Sequence, residues 1–170
     1  MSKNAISVAN YIIEEYKEKQ INNLHLQKLL YYLQANYMIE NDGEFLFTDD
    51  MEKWKLGPVV PNVYHSFKEY GPSPITDAYT EVEISFDAIK GTISFVEKED
   101  SIEDCTKEFI DKIMQYLLKY DKFELVQLTH EHPMWKEDES LIINGVKNIK
   151  YRYEDMREYF INHPEDLLVN

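Results

Sequence analysis

The run Thr129-His130-Glu131-His132 places two imidazoles and a carboxylate within four positions, the side chains that hold transition metals. A helical zinc site needs its two histidines at i and i+4, so that both rings leave one face. His130 and His132 are two apart and would leave a helix on different sides. His25, His65 and His163 lack ligand-type spacing, so all five histidines read as structural or surface groups, and no metal is expected. The single cysteine, Cys105, falls on the apolar stripe of a predicted helix, which implies an inert, buried thiol. Alone, it can form no intramolecular disulfide. The five glycines are not grouped as a phosphate loop or a dinucleotide fingerprint, and no cofactor is expected. The paired acids Asp49-Asp50 and Glu99-Asp100 sit in turn-like stretches and read as solvated charge. No nucleophile, base and oxyanion donor assemble from these residues, so the chain is expected not to be an enzyme. A hydrolase or metalloenzyme with a dispersed site is the alternative from that class.

A different kind of chemistry is offered by Trp54-Lys55-Leu56-Gly57-Pro58-Val59-Val60-Pro61-Asn62-Val63-Tyr64. Two prolines, a glycine, a Trp and a Tyr make a stiff turn, and rigid aromatics lose little entropy on binding. The turn can present an anchor to a partner. Equally, it can serve only to set the following helix over the core.

The elements around these residues are mainly helical. Residues 4–19 repeat Ala5, Val8, Ala9, Ile12, Ile13 and Tyr16 at helical steps, with Glu14, Glu15, Lys17 and Glu18 opposite. A second helix starts after Asn22 or Asn23 with Leu26, Leu29, Leu30, Leu33 and Tyr37 on one stripe, and Asn41, Asp42 and Gly43 end it. The short link predicts an antiparallel pair. Residues 44–57 read as one or two short strands or an extended loop. Pro61 opens a short helix that ends at Gly71-Pro72. Residues 81–97 alternate Val82, Ile84 and Phe86, then Ile93 and Phe95, about a Lys90-Gly91 turn, which predicts a β-hairpin with one buried face. Ser101 with Asp104, and Asp121 with Glu124, resemble capping boxes at two further helix starts. The second of these helices is expected to end near Glu131, before Pro133. A last helix covers residues 153–162. The expected fold is mainly α (α+β), a compact helical domain with a small antiparallel β-hairpin or sheet, as one domain over 1–170.

With 18 Lys plus Arg against 32 Asp plus Glu, the net charge is −14. Nucleic-acid affinity rests on cations displacing counterions, so direct binding to nucleic acid or an anionic membrane is disfavoured. The acidity fits a basic protein partner, and it also fits solubility alone. No stretch approaches the roughly 18 apolar residues of a membrane span, and residues 1–10 carry no secretory pattern. A cytoplasmic protein is expected.

Several blocks in order carry a family resemblance. They are Leu26-Gln27-Lys28-Leu29-Leu30-Tyr31-Tyr32-Leu33-Gln34, Phe45-Leu46-Phe47-Thr48-Asp49, the Trp54 to Pro61 turn with Tyr64, Phe67, Tyr70 and Gly71, then Leu125-Val126-Gln127-Leu128-Thr129-His130 with Pro133 and Trp135. Over about residues 5–160 the chain resembles the Panacea domain, the SocA-like antitoxin family also described as GepA-type phage-associated proteins. The resemblance implies a mainly helical fold with a small β element and an antitoxin that neutralises a cognate toxin by direct contact. It implies no catalytic residues. One member acts as an adaptor to a protease, so a phage- or prophage-encoded acidic inhibitor or proteolytic adaptor acting on a host protein is the alternative. Candidate scaffold or partner-interface positions are Trp54, Gly57, Pro58, Val60, Pro61, Tyr64, Thr129, His130 and Trp135. The hairpin region varies between members of the family, and so does the partner.

Overall fold

The computed structural model describes residues 4–97 and 101–169. Two asparagines set the first two helices. The Asn4 side chain accepts from the Ser7 amide to start α1 (Ala5–Glu15), and Asn22 accepts from the His25 amide to start α2 (Asn23–Glu40). A 3-10 turn, Lys17–Lys19, separates them, and Gln20 takes a left-handed conformation there.

Helix α2 is the axis of the molecule. Its predicted stripe of Leu26, Leu29, Leu30 and Leu33 is buried, but so are Gln27, Lys28, Tyr31, Tyr32, Gln34 and Asn36 on its other sides. It is therefore enclosed all round and is more than one half of a helix pair. Gln27, Lys28, Gln34 and Asn36 fit the interior because each meets a backbone group from a distant loop. Gln34 accepts from the Leu46 and Phe47 amides and donates to the Phe47 carbonyl. Asn36 donates to the Leu167 carbonyl, and Gln27 accepts from the Val60 amide. Loop amides buried without such partners would cost about 1–3 kcal/mol each.

Packed against α2 are α4 (Asp104–Leu117), α5 (Lys122–Glu131) and α8 (Tyr153–Asn162). Helix α5 carries the predicted capping box in full: Asp121 accepts from the Glu124 amide, and the Glu124 carboxylate accepts from the Asp121 amide. The box predicted for α4 is absent; its N-cap is Glu103, with Ser101 lying before it. The buried stripe of α4 is Thr106, Ile110, Ile113, Met114 and Leu117. That stripe leaves Cys105 to one side, and its thiol is exposed, contrary to the reading of the sequence as a buried cysteine. The acids Glu99 and Asp100 lie outside the described residues.

Residues 44–57 supply the first strand of a small hairpin. Strand β1 (Glu52–Trp54) pairs antiparallel with β2 (Gly57–Val59), with Trp54 opposite Gly57. On the other side of β1, the Lys53 amide donates to the Ile149 carbonyl and the Tyr151 amide to that of Met51. Helix α3 (Pro61–Ser66) follows with Pro61 in its first turn. Two short helices, α6 (Pro133–Lys136) and α7 (Glu139–Ile143), were not legible in the sequence.

The second hairpin, β3 (Val82–Asp87) with β4 (Thr92–Glu97), forms where the alternation predicts it, with Ile84 opposite Phe95 and Phe86 opposite Ile93. Its apolar face is not buried. Ile84 is 69% exposed, Phe86 66%, Ile93 62% and Phe95 70%. None of these side chains belongs to the core. The chain entering the hairpin is held by Asn10, whose side chain donates to the Tyr79 carbonyl and accepts from the Tyr79 amide. The chain leaving it is anchored by buried Ile102. Among the described residues no helix is long and apolar enough to cross a membrane.

Candidate functional site

The nine residues singled out from sequence converge on the β1–β2 turn. Gly57 sits there at φ +90°, and a Cβ on it would lie 2.6 Å from Thr129 Oγ1 and 3.2 Å from Lys28 Cε. Thr129 is buried and donates to the Val126 carbonyl, so it has no room to yield. Gly57→Ala is expected to destabilise the fold by about 2 kcal/mol or more, from left-handed strain plus overpacking. An unchanged urea midpoint would show that this contact is not tight.

The same corner is tied together by buried hydrogen bonds. Lys28 Nζ donates to the Pro58 carbonyl at 2.8 Å. Gln27 links the Val60 amide to Asn23, which donates to the Tyr64 carbonyl. Trp135 Nε1 donates to the Trp54 carbonyl at 2.9 Å, and the His130 ring stacks on Trp135 with centroids 3.7 Å apart. Gly57, Pro58, Val60, Thr129 and Trp135 are buried in this corner. Trp54, Pro61 and Tyr64 are half-buried and face outward, with the Trp54 and Tyr64 rings 4.9 Å apart. His130 is also half-buried, beneath the turn.

Ionisation in this corner is governed by burial. Lys28 is fully enclosed, and loss of solvation lowers its pKa to about 7. Burial, then the neighbouring Lys28, also lowers that of His130. His132 lies deeper, its Nδ1 2.8 Å from the Tyr31 hydroxyl, and burial brings its pKa down to about 4. Both histidines of the cluster pack against aromatic rings, His130 on Trp135 and His132 beside Tyr31. Among the described residues, His163, Glu165 and Asp166 are close enough to share an ion, a grouping that spacing did not suggest. Asp166 there accepts from the Tyr159 hydroxyl, and His163 lies beside Glu165.

Two open surfaces among the described residues are of a kind that could meet a partner. One is a groove of about 760 Å³ beside the β1–β2 turn, floored by Trp54, Val59, Tyr64 and Ile142. Its far wall, which includes Gly145, Val146 and Lys147, comes from a segment whose sequence shows no periodicity. The other is the apolar face of β3–β4. Exposed apolar patches of more than a few hundred Å² are uncommon on monomers and mark interaction surfaces.

The model of the family described as Antitoxin SocA-like, Panacea domain, matches residues 26–136. The chain is also similar to the Antitoxin SocA of Caulobacter vibrioides (strain NA1000 / CB15N), with 38% identity over 76 residues. That match covers 44% of this chain and 40% of the relative, so less than half the relative's length is represented. No solved structure matches. The matched segment runs from the central helix through the Trp54 turn and the exposed hairpin to Trp135, and on it this chain belongs to the SocA-like antitoxins, the Panacea domain family.

Proposed function

We propose that this protein is an antitoxin that holds a partner toxin inactive by direct protein contact. The observation that carries the reading is the exposed apolar face of β3–β4. A two-stranded hairpin is marginal in water unless its apolar face is covered. Here Val82, Ile84, Phe86, Ile93 and Phe95 line one face, and none is in the core. Isoleucine at 89, in the turn, is 97% exposed. Side chains of this kind, lost to solvent in the free protein, are what the centre of a protein interface is made of. The segment also holds Glu81, Glu83, Asp87 and Glu97 against Lys90, so the partner surface it suits is apolar with a basic border.

Binding in place of catalysis, and a cytoplasmic site of action beside the toxin, follow from the same reading. The test is co-expression with toxin-like reading frames adjacent to the gene. Rescue of growth and co-purification of the two chains are expected. Failure of both, with well-folded protein, removes the antitoxin reading.

A further inference from the structure

The groove beside the β1–β2 turn shares no residue with the β3–β4 hairpin, and its chemistry is opposite in sign. The protein carries 32 acidic against 18 basic residues, yet Lys55, Lys68 and Lys147 stand around this one depression. Among the described residues, none of these three ammonium groups makes a salt bridge or hydrogen bond. Lys53 also lines the groove, but its charge is met by Asp138 at 2.6 Å. The groove's carboxylate, Glu52, is occupied in accepting from Trp54 Nε1 at 2.8 Å. Cations left unpaired in an excess of acids are a local positive field, and low-dielectric walls concentrate it.

The floor is apolar. The Trp54 and Tyr64 rings meet edge to face, Ile142 is buried beneath, and Leu56 and Val146 stand half out of the surface at 51% and 46% exposure. The Trp54 ring is held by the bond from its own indole N–H to Glu52, so it is already ordered before anything binds. A volume of about 760 Å³ holds several side chains and lies within the range of specific binding clefts.

We infer that this groove is a docking site for an acidic peptide segment of a partner protein, one carrying aliphatic or aromatic side chains between its carboxylates. The apolar side chains enter the depression over Trp54, Tyr64 and Ile142, and the carboxylates meet Lys55, Lys68 and Lys147. A nucleic acid fits less well: its phosphates would gain these few cations but face the field of a chain of net charge −14. The site is independent of toxin binding through the hairpin and stands or falls separately from it.

The test uses the full chain as bait for a random-peptide phage library, with counter-selection on Lys68→Glu/Lys147→Glu. Both substitutions are at exposed positions, and the melting temperature should not move. Enriched peptides are expected to be net acidic with interspersed aliphatic or aromatic residues. A fluorescein-labelled copy of the dominant peptide should bind at least about tenfold more weakly to the double variant and to Val146→Asp, and should weaken with added salt. Phe95→Thr should bind it like the wild type. Enrichment of basic peptides, or no enrichment over the counter-selection, overturns the inference. Loss of the peptide in Phe95→Thr would move it to the hairpin and overturns it too. So would an oligothymidylate that binds and is lost in the lysine variant, which would make this a nucleic-acid site.

Discussion

Ile84→Thr combined with Phe95→Thr should abolish toxin neutralisation, lowering affinity for the toxin by at least roughly 100-fold, while the melting temperature stays within about 2 °C of wild type. The two side chains face each other across the β3–β4 ladder at the middle of the exposed face. Each is an anchor of the kind whose truncation costs about 2 kcal/mol or more at an interface. Threonine is chosen because it keeps a high strand preference and adds no charge, so the hairpin persists and only its apolar face is lost. The fold is untouched because neither side chain belongs to the core, and the hairpin's two ends are held independently, at Tyr79 by Asn10 and at Ile102 by burial. Thr92→Lys, on the opposite face, should neutralise normally. Full neutralisation by the double variant, against a wild type that also neutralises, would place the interface elsewhere and leave the antitoxin role standing. A wild type that neutralises no neighbouring toxin would remove that role itself.

The hairpin also shows where sequence reading stops. Alternation of Val82, Ile84 and Phe86 with polar residues correctly predicts a strand, but the buried face it also predicts is exposed. The period does not say whether that face is covered by the same chain or by another. The reverse holds for α2. Gln27, Lys28, Gln34 and Asn36 look like a solvated face, yet they are buried because loops 12 to 131 residues away bring backbone groups to them. A polar residue's partner is a tertiary fact that no local pattern encodes. Cys105 was misplaced by one step of the helix, since Thr106, a polar residue, occupies the buried stripe. For the candidate site, residue types alone gathered Trp54, Gly57, Pro58 and Tyr64, because a Gly-Pro turn between aromatics is a local feature. Which of them are buried and which line the groove was invisible, as it depends on Lys28 and Thr129 filling the space beneath Gly57. The lysines of the groove come from three separate stretches and carry no signal individually.

Stability should climb with pH from about 4 to about 9, with two buried groups setting the slope. His132 has a folded pKa of about 4, below its ordinary 6.5, so between these values the unfolded chain binds a proton that the folded chain refuses. Stability therefore rises as pH increases through that window, by about 3 kcal/mol, and falls again on acidification. The groups around the ring are the Tyr31 and Tyr159 rings and the carboxylates of Glu131 and Asp166, whose attraction for the proton is outweighed by burial. Lys28 acts the same way at higher pH. Its folded pKa of about 7 lies below the ordinary 10.5, so from pH 7 upward the unfolded chain again holds the extra proton. About 2 kcal/mol should be gained between pH 7 and 9 from this lysine. Among the described residues the Pro58 carbonyl is the hydrogen-bond partner that favours its charge, and burial outweighs it. Above pH 9 the gain ends, because burial holds Tyr31, Tyr32 and Tyr151 protonated in the folded state while their unfolded forms ionise. Urea unfolding from pH 4 to pH 9 checks this directly. Lys28→Met removes the titrating amine and should flatten the profile above pH 7, whatever the loss of the Pro58 bond does to absolute stability. A variant with the wild-type slope would show that Lys28 is charged in the folded protein and that a partner or water solvates it.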